Sequence, residues 1–246
     1  MKRKIQLLVI IPARSQSKKL KNKNIRLLNN HPLVAYSIEA AKNIEEKSKI
    51  VHLSTDSKKI INISKKYYKI NDDLRPKKLA KDESLDIDFL NYTLYFYSKK
   101  NILFKYCIIL RPTNPIRKRK TLNSFYNIFK NSKFDSLKSI YKSQKTPYKM
   151  WTKKDRLIRN IINNKKGEFF NYPRQKLPQT YYQTGTIEIV NIDYKNKLKN
   201  FSGKKIMGIE VSDAESTDID DINDLKIASK KLIGNMFVKP KLKIIK

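Results

Sequence analysis

The chain has 246 residues, enough for one large domain or one domain with an appendage, and carries a formal net charge of +33. One cysteine and two histidines exclude a disulfide framework, a cysteine-ligated zinc site and a histidine-based metal cluster within one chain. The charge invites a nucleic-acid reading, but the lysines are scattered through helices and loops and form no single stripe, as expected of a solvated surface written in AT-rich codons.

The first element is the apolar run at residues 6–12, which reads as a buried parallel strand. Preceded by "MKRK", it resembles a signal peptide, yet it is short, ends at Pro-Ala-Arg and lacks a small-residue cleavage site. With no run of transmembrane length, the expectation is a cytoplasmic protein. The strand opens into "ARSQSKKLKNKN", a loop dense in cations. Backbone N–H groups after a parallel strand, with Ser17 and several cations, can hold a triphosphate. The loop has no glycine, unlike most phosphate cradles, and taken alone a solvated loop reads equally well.

"HPLVAYSIEAAKN" follows as a helix, with Pro32 at its first turn and Leu33, Ile38 and Ala41 on the buried face. "KIVHLSTDS" is the next strand, and Ser57 onward returns as a helix. "KIN" at 69–71 is a third short strand. Ile87 to Tyr97 has helical spacing, and "FKYCIIL" is a strand with Cys107 as a small core residue, closed by "RPTNP". "RKRKTLNSFYNIFK" is a helix with Leu122, Phe125 and Phe129 on one face, and "DSLKSIYKS" is a further strand. Strand and helix alternate to about residue 140, which indicates an α/β fold with a largely parallel sheet. The polar turns "ARSQSKKL", "STDS" and "RPTNPIR" are then expected on one edge, where such folds bind ligands.

From about 143 to 184 aromatics and prolines replace the alternation, as in an inserted arm whose aromatics offer a partner surface. "GTIEIVN" and "KKIMGIEVS" resume the strands, a last helix runs from about Asp221 to Leu232, and 234–246 read as a loose tail after one domain spanning 1–233.

Two more stretches carry chemistry. In "STDIDDINDL", Asp218 and Asp220 at i and i+2 point to one side of an extended segment, a spacing that suits Mg²⁺ shared with phosphate oxygens. The alternative is an acidic cap of the last helix, to which Asp221 and Asp224 are assigned. In "YPRQKLPQTYYQTG", Arg174 and Gln175 place a forked donor beside an amide, suited to a carboxylate.

"IPARSQSKKLKNKNIRLL", "STDS", "LRPKKLAKDES", "LRPTNPIR", "TPYKMW", "PRQKLPQTYYQTG" and "STDIDDINDL" stand in the order that resembles the acylneuraminate cytidylyltransferases, over roughly residues 5 to 232. The resemblance implies a Rossmann-like nucleotidyltransferase fold with an arm that dimerises. It implies transfer of CMP from CTP to the anomeric hydroxyl of a nonulosonic sugar acid, with Mg²⁺ and release of pyrophosphate. It further implies that Arg14, Ser17, Lys18, Lys23 and Asn24 bind or activate the phosphates, and that Arg75, Ser84 and Asp86 lie by cytosine or its ribose. Asp218 and Asp220 match a metal pair. Lys149, Arg174 and Gln175 match positions that help hold the sugar acid. Arg14, Lys23 and Asp218 are the expected catalytic set, while Lys19 and Lys21 are left as background charge.

Two departures stand out. Gln16 takes a position where the family usually has glycine. Arg111 stands where sialic-acid members commonly have a glutamine facing the sugar, which argues for a differently substituted acid. The alternatives are a nucleotidyltransferase for another acid such as 3-deoxy-manno-octulosonate and, remotely, a basic nucleic-acid-binding module.

Overall fold

A computed structural model of the chain describes residues 2–17, 19–162 and 167–242. Strand β1 (Arg3–Pro12) is buried on both faces, and Leu7 through Ile11 expose nothing. The chain then makes a small turn of β2 (Leu27–Leu28) against β3 (His31–Pro32), crossing Asn29 and Asn30 at φ of 45° and 66°. Asparagine tolerates this left-handed region better than most side chains.

Helix α1 (Leu33–Lys42) begins directly after Pro32. It is buried from Leu33 through Ala41, more than the single face expected. The reason is that it has a core on each side: Val34, Ala35 and Ile38 join the main cluster under the sheet, whereas Leu33 and Tyr36 join a second one with Ile219 and Phe237. Then come β4 (Lys49–Thr55) and α2 (Lys58–Lys65), whose Ser57 cap accepts from the Ile60 N–H. The third strand, β5 (Asn71–Leu74), lies later than the expected 69–71, because Ile70 drops into the core while the next four residues pair with β4. Its polar sequence suits the sheet edge it forms.

The chain continues through α3 (Asp86–Ser98), β6 (Ile102–Ile109), α4 (Arg119–Lys130) and β7 (Ser136–Lys142). An arm follows, with a hairpin of β8 (Trp151–Lys154) and β9 (Leu157–Asn160). The arm ends earlier than the expected 184, since β10 (Tyr181–Asn191) already pairs with β7 from Tyr181. Last are β11 (Ile206–Glu210) and α5 (Ile222–Lys231), capped by a reciprocal box of Asp221 and Asp224, as expected.

The seven-stranded sheet has the order β11-β7-β10-β6-β1-β4-β5, with β10 antiparallel to both neighbours and the other pairs parallel. Alternate residues of β1 serve opposite faces: Leu7, Val9 and Ile11 pack in one cluster, Leu8 and Ile10 in another. Cys107 is fully buried in the latter. This is the α/β architecture expected from the strand–helix alternation.

The start of α4 and the C-terminal tail both differ from expectation, and the two differences are linked. The helix expected from Arg117 starts at Arg119, which leaves the Arg117 carbonyl outside it. The Val238 N–H donates to that carbonyl at 2.8 Å, Phe237 bridges to Lys118, and both Phe237 and Val238 are buried. The tail is therefore docked through Val238, not loose, because an orphan carbonyl and an apolar slot await it; residues 243–246 lie outside the described residues. Phe237→Ala is expected to cost about 2 kcal/mol, somewhat below a fully enclosed phenylalanine, read as a melting temperature lowered by roughly 4–8 °C.

Candidate active site

The carboxyl ends of β1, β5 and β6 open into a cleft of about 290 Å³. It is lined by Pro12, Arg14, Gln16, Ser17, Lys23 and Asn24 after β1, by Arg75 after β5, and by Arg111, Pro112 and Thr113 after β6. Leu79, Ala80, Lys81, Asp82, Ser84, Asp86 and Phe89 complete it from the segment leading into α3. The strand ends gather the polar turns on one edge, as expected. The "STDS" turn contributes as a brace: Asp56 accepts from the Ser15 N–H at 2.7 Å and from the Ser15 hydroxyl at 2.6 Å.

Among the described residues of the loop after β1 the left-handed position is held by Asn22, at φ 58°, a side chain that tolerates it without glycine. Gln16, at the family's glycine position, is not among the residues with positive φ. Asn24 is buried and spends its amide on the Arg14 carbonyl at 2.8 Å, so its visible work is to hold the loop shut. Arg14 donates to the Lys81 carbonyl at 3.0 Å and pairs with Asp82 at 2.7 Å. Ser17 faces the cleft; Lys18 lies outside the described residues.

The acidic segment meets this loop. Asp220 pairs with Lys23 at 2.8 Å and with Lys19 at 3.0 Å. Those two lysines, Lys23 first, hold its carboxyl below the ordinary range. Lys19, which sequence alone leaves as background, is thus part of the site. Nothing short of the fold distinguishes it from Lys21, since the contact spans 201 positions. Asp218 lies by Thr113. Its carboxyl is held above the ordinary range, first by lost hydration and then by the charge of Asp220, against a Thr113 hydrogen bond. Two carboxylates that repel and are hard oxygen donors fit a divalent cation that takes its remaining ligands from phosphate and water. Among the described residues no group of three or more His, Cys, Asp or Glu side chains could hold a metal by itself.

On the far wall Arg75 is 5% exposed, with its guanidinium 5.6 Å from the Phe89 ring and its Nε without a partner among the described residues. Burial pulls its pKa down, against Asp56. A buried donor left unsatisfied at a cleft wall is suited to a ligand acceptor. Ser84 donates to the Lys78 carbonyl at 3.3 Å. Asp86 heads α3 and pairs with Arg111 at 2.6 Å.

Arg111 is not a free cation. Its Nη2 also reaches Glu188 at 2.6 Å, and its Nε donates to the same oxygen at 3.1 Å. Glu188 is 1% exposed and is also paired with Lys138. Burial works against the Arg111 charge, but Glu188 and Asp86 outweigh it and raise the pKa. Motif order does not single out Glu188 in "GTIEIVN"; a lone acid among inward-facing apolar residues is the signal that could have found it. Room for this network comes from Gly185: a Cβ there would stand 2.1 Å from the Asn114 Oδ1 and 3.1 Å from the Arg111 Cδ.

Lys149, Arg174 and Gln175 are not brought to this cleft within the chain. They are exposed on the arm, where Arg174 donates to the Ser143 carbonyl at 3.4 Å. Exposed Met150, Trp151, Leu157 and Tyr172 accompany them. Among the described residues no helix is long and apolar enough to cross a membrane.

Comparison with known proteins gives a consistent result. Residues 8–227 match the family described as Cytidylyltransferase. An N-acylneuraminate cytidylyltransferase of Escherichia coli O18:K1:H7 is 29% identical over 229 residues, 91% of this chain and 51% of its own length. A CMP-N,N'-diacetyllegionaminic acid synthase of Legionella pneumophila is 36% identical over 126 residues, 51% of this chain and 54% of its own length. The chain spans about half the length of the first relative, and the second is matched over about half of each chain. Among solved structures, CMP:2-keto-3-deoxy-manno-octonic acid synthetase complexed with CTP has a TM-score of 0.64 at 13% identity, covering 92% of this chain and 97% of that one; this is a likeness of fold.

Proposed function

The chain belongs to the cytidylyltransferase family, and on that premise we propose that it transfers CMP from CTP to the anomeric hydroxyl of a nonulosonic, sialic-acid-like sugar acid, releasing pyrophosphate. The observation that carries this is the convergence of Arg14, Lys23, Arg75 and Arg111 on one cleft at the strand ends, with the Asp218–Asp220 pair beside it. Nucleotidyl transfer asks for positioning and charge neutralisation more than for covalent chemistry, and this cleft offers both.

Arg14, Lys19 and Lys23, with Ser17, bind the phosphates and stabilise charge developing on the leaving pyrophosphate. The Arg75 Nε takes an acceptor of the nucleoside, with Phe89 behind Arg75, and the Ser84 hydroxyl oxygen, its proton given to the Lys78 carbonyl, accepts from a nucleoside donor. Asn24 keeps Arg14 in place through its carbonyl. Arg111, already neutralised by Asp86 and Glu188, offers its remaining N–H to a polar substituent of the sugar acid. Asp218 and Asp220 would hold a divalent ion, Mg²⁺ in this reading, which when bound offsets the repulsion between an anionic sugar and an anionic nucleotide. The arm makes a homodimer, and Lys149, Arg174 and Gln175 serve the sugar acid in that assembly. The exposed apolar side chains around them support this. A cytoplasmic location goes with dependence on CTP.

The test is pyrophosphate release with CTP and Mg²⁺ across N-acetylneuraminate, legionaminate, pseudaminate and 3-deoxy-manno-octulosonate. Release with at least one of the first three, faster than with the last, is expected. Release confined to 3-deoxy-manno-octulosonate, or absent with all four, overturns the reading.

A further inference from the structure

Arg117 is the largest side chain among the described residues to be shut off from solvent completely. Its guanidinium donates to the Thr186 carbonyl at 2.6 Å, to the Arg111 carbonyl at 2.8 Å and to the Ser37 hydroxyl at 3.3 Å. All three acceptors are uncharged, so burial of the cation is only partly offset. Burial indeed brings its pKa down to about 9, with Glu215 opposing from farther off. An apolar side chain would fill this space at lower cost, unless the three acceptors need one fork to hold them together.

Their positions supply that need. Thr186 lies in the irregular stretch of β10, where pairing with β7 shifts between Gln183 and Glu188 and the ladder leaves carbonyls to other donors. Arg111 begins the cleft-lining loop after β6. Ser37 anchors the fork to α1. Two residues on from Thr186, Glu188 grips the Arg111 side chain. The loop is thereby fastened to β10 twice, through the main chain by Arg117 and through the side chain of Arg111.

We propose that Arg117 is a positioning residue, which holds the Arg111–Thr113 wall of the cleft against the irregular stretch of β10 and so fixes where Arg111 and Thr113 meet substrate. It touches no substrate itself. The proposal rests on the cytidylyltransferase reading. Small displacements of a positioning wall cost up to about a hundredfold in rate.

The experiment compares Arg117→Lys and Arg117→Met with the wild type, alone and with Arg111→Ala, by thermal melting, CTP binding calorimetry and steady-state pyrophosphate release. Arg117→Lys is expected to fold, to bind CTP within about threefold of wild type, and to lose about tenfold or more in kcat. With Arg111→Ala present, the Arg117→Lys factor should shrink below about threefold, because the two changes act on one element. The proposal is overturned if both variants keep wild-type kcat, if the loss is the same in both backgrounds, or if neither variant folds, since the residue then serves stability alone. A wild-type enzyme inactive with every acid instead removes the functional reading itself.

Discussion

Glu188→Gln is expected to lower the melting temperature by roughly 6–12 °C, equivalent to about 3 kcal/mol for a chain of this size. Glu188 is 1% exposed and is gripped by both Arg111 and Lys138. The amide keeps the shape and removes the charge. Two cations whose side chains are 25% and 13% exposed then lose their shared carboxylate, and among the described residues Asp86 alone is left to pair with Arg111. Removing one partner of a buried pair costs more than the pair itself contributes, because the other charge is stranded. Differential scanning calorimetry checks this, and a shift under about 2 °C would show that solvent reaches Arg111 and Lys138 freely.

Lys23→Met is expected to cut kcat/KM for CTP by about a hundredfold to a thousandfold, the scale of losing one preorganised donor at a developing negative charge. The Lys23 side chain is 12% exposed and fixed on Asp220, whereas Lys19, on the same carboxylate, is 69% exposed. The enclosed lysine is already in place when phosphate arrives, and the exposed one is screened by water and salt. Lys19→Met should therefore cost less than about tenfold. Equal losses in the two variants, or Lys23→Met within about threefold of wild type, would refute the distinction.

Much of the architecture is legible because strand and helix leave different periods. The runs around Leu8 and Cys107 are continuously apolar, and that around Val51 is broken only by the buried His52, since each strand is covered on both faces. The late placement of β5 and the antiparallel sense of β10 are not legible. A polar edge strand has little apolar pattern, and direction depends on a connection made elsewhere. Within the site, Arg14, Ser17, Lys23, Asn24, Arg75, Ser84, Asp86 and Arg111 are picked out by the order of motifs and do share one cleft. Lys19, Glu188 and Arg117 are not, since their importance lies in contacts between residues distant in sequence. The docking of Phe237 is hidden because a short apolar run of three residues ahead of a lysine-rich end looks the same whether or not a slot receives it.

The pairing of Asp220 with two lysines bears on how a nucleotide would be captured in the proposed reaction. A formal charge of +33 suggests long-range attraction of any anion. At the cleft, however, Arg14 already has Asp82, Lys19 and Lys23 share Asp220, and Arg111 has Asp86 and Glu188. On the proposed reading, an arriving triphosphate meets these four cations already paired and exchanges places with the carboxylates that had served as their counterions. Selectivity then comes from which anion can displace those internal ones with better geometry, and far less from the protein's overall charge.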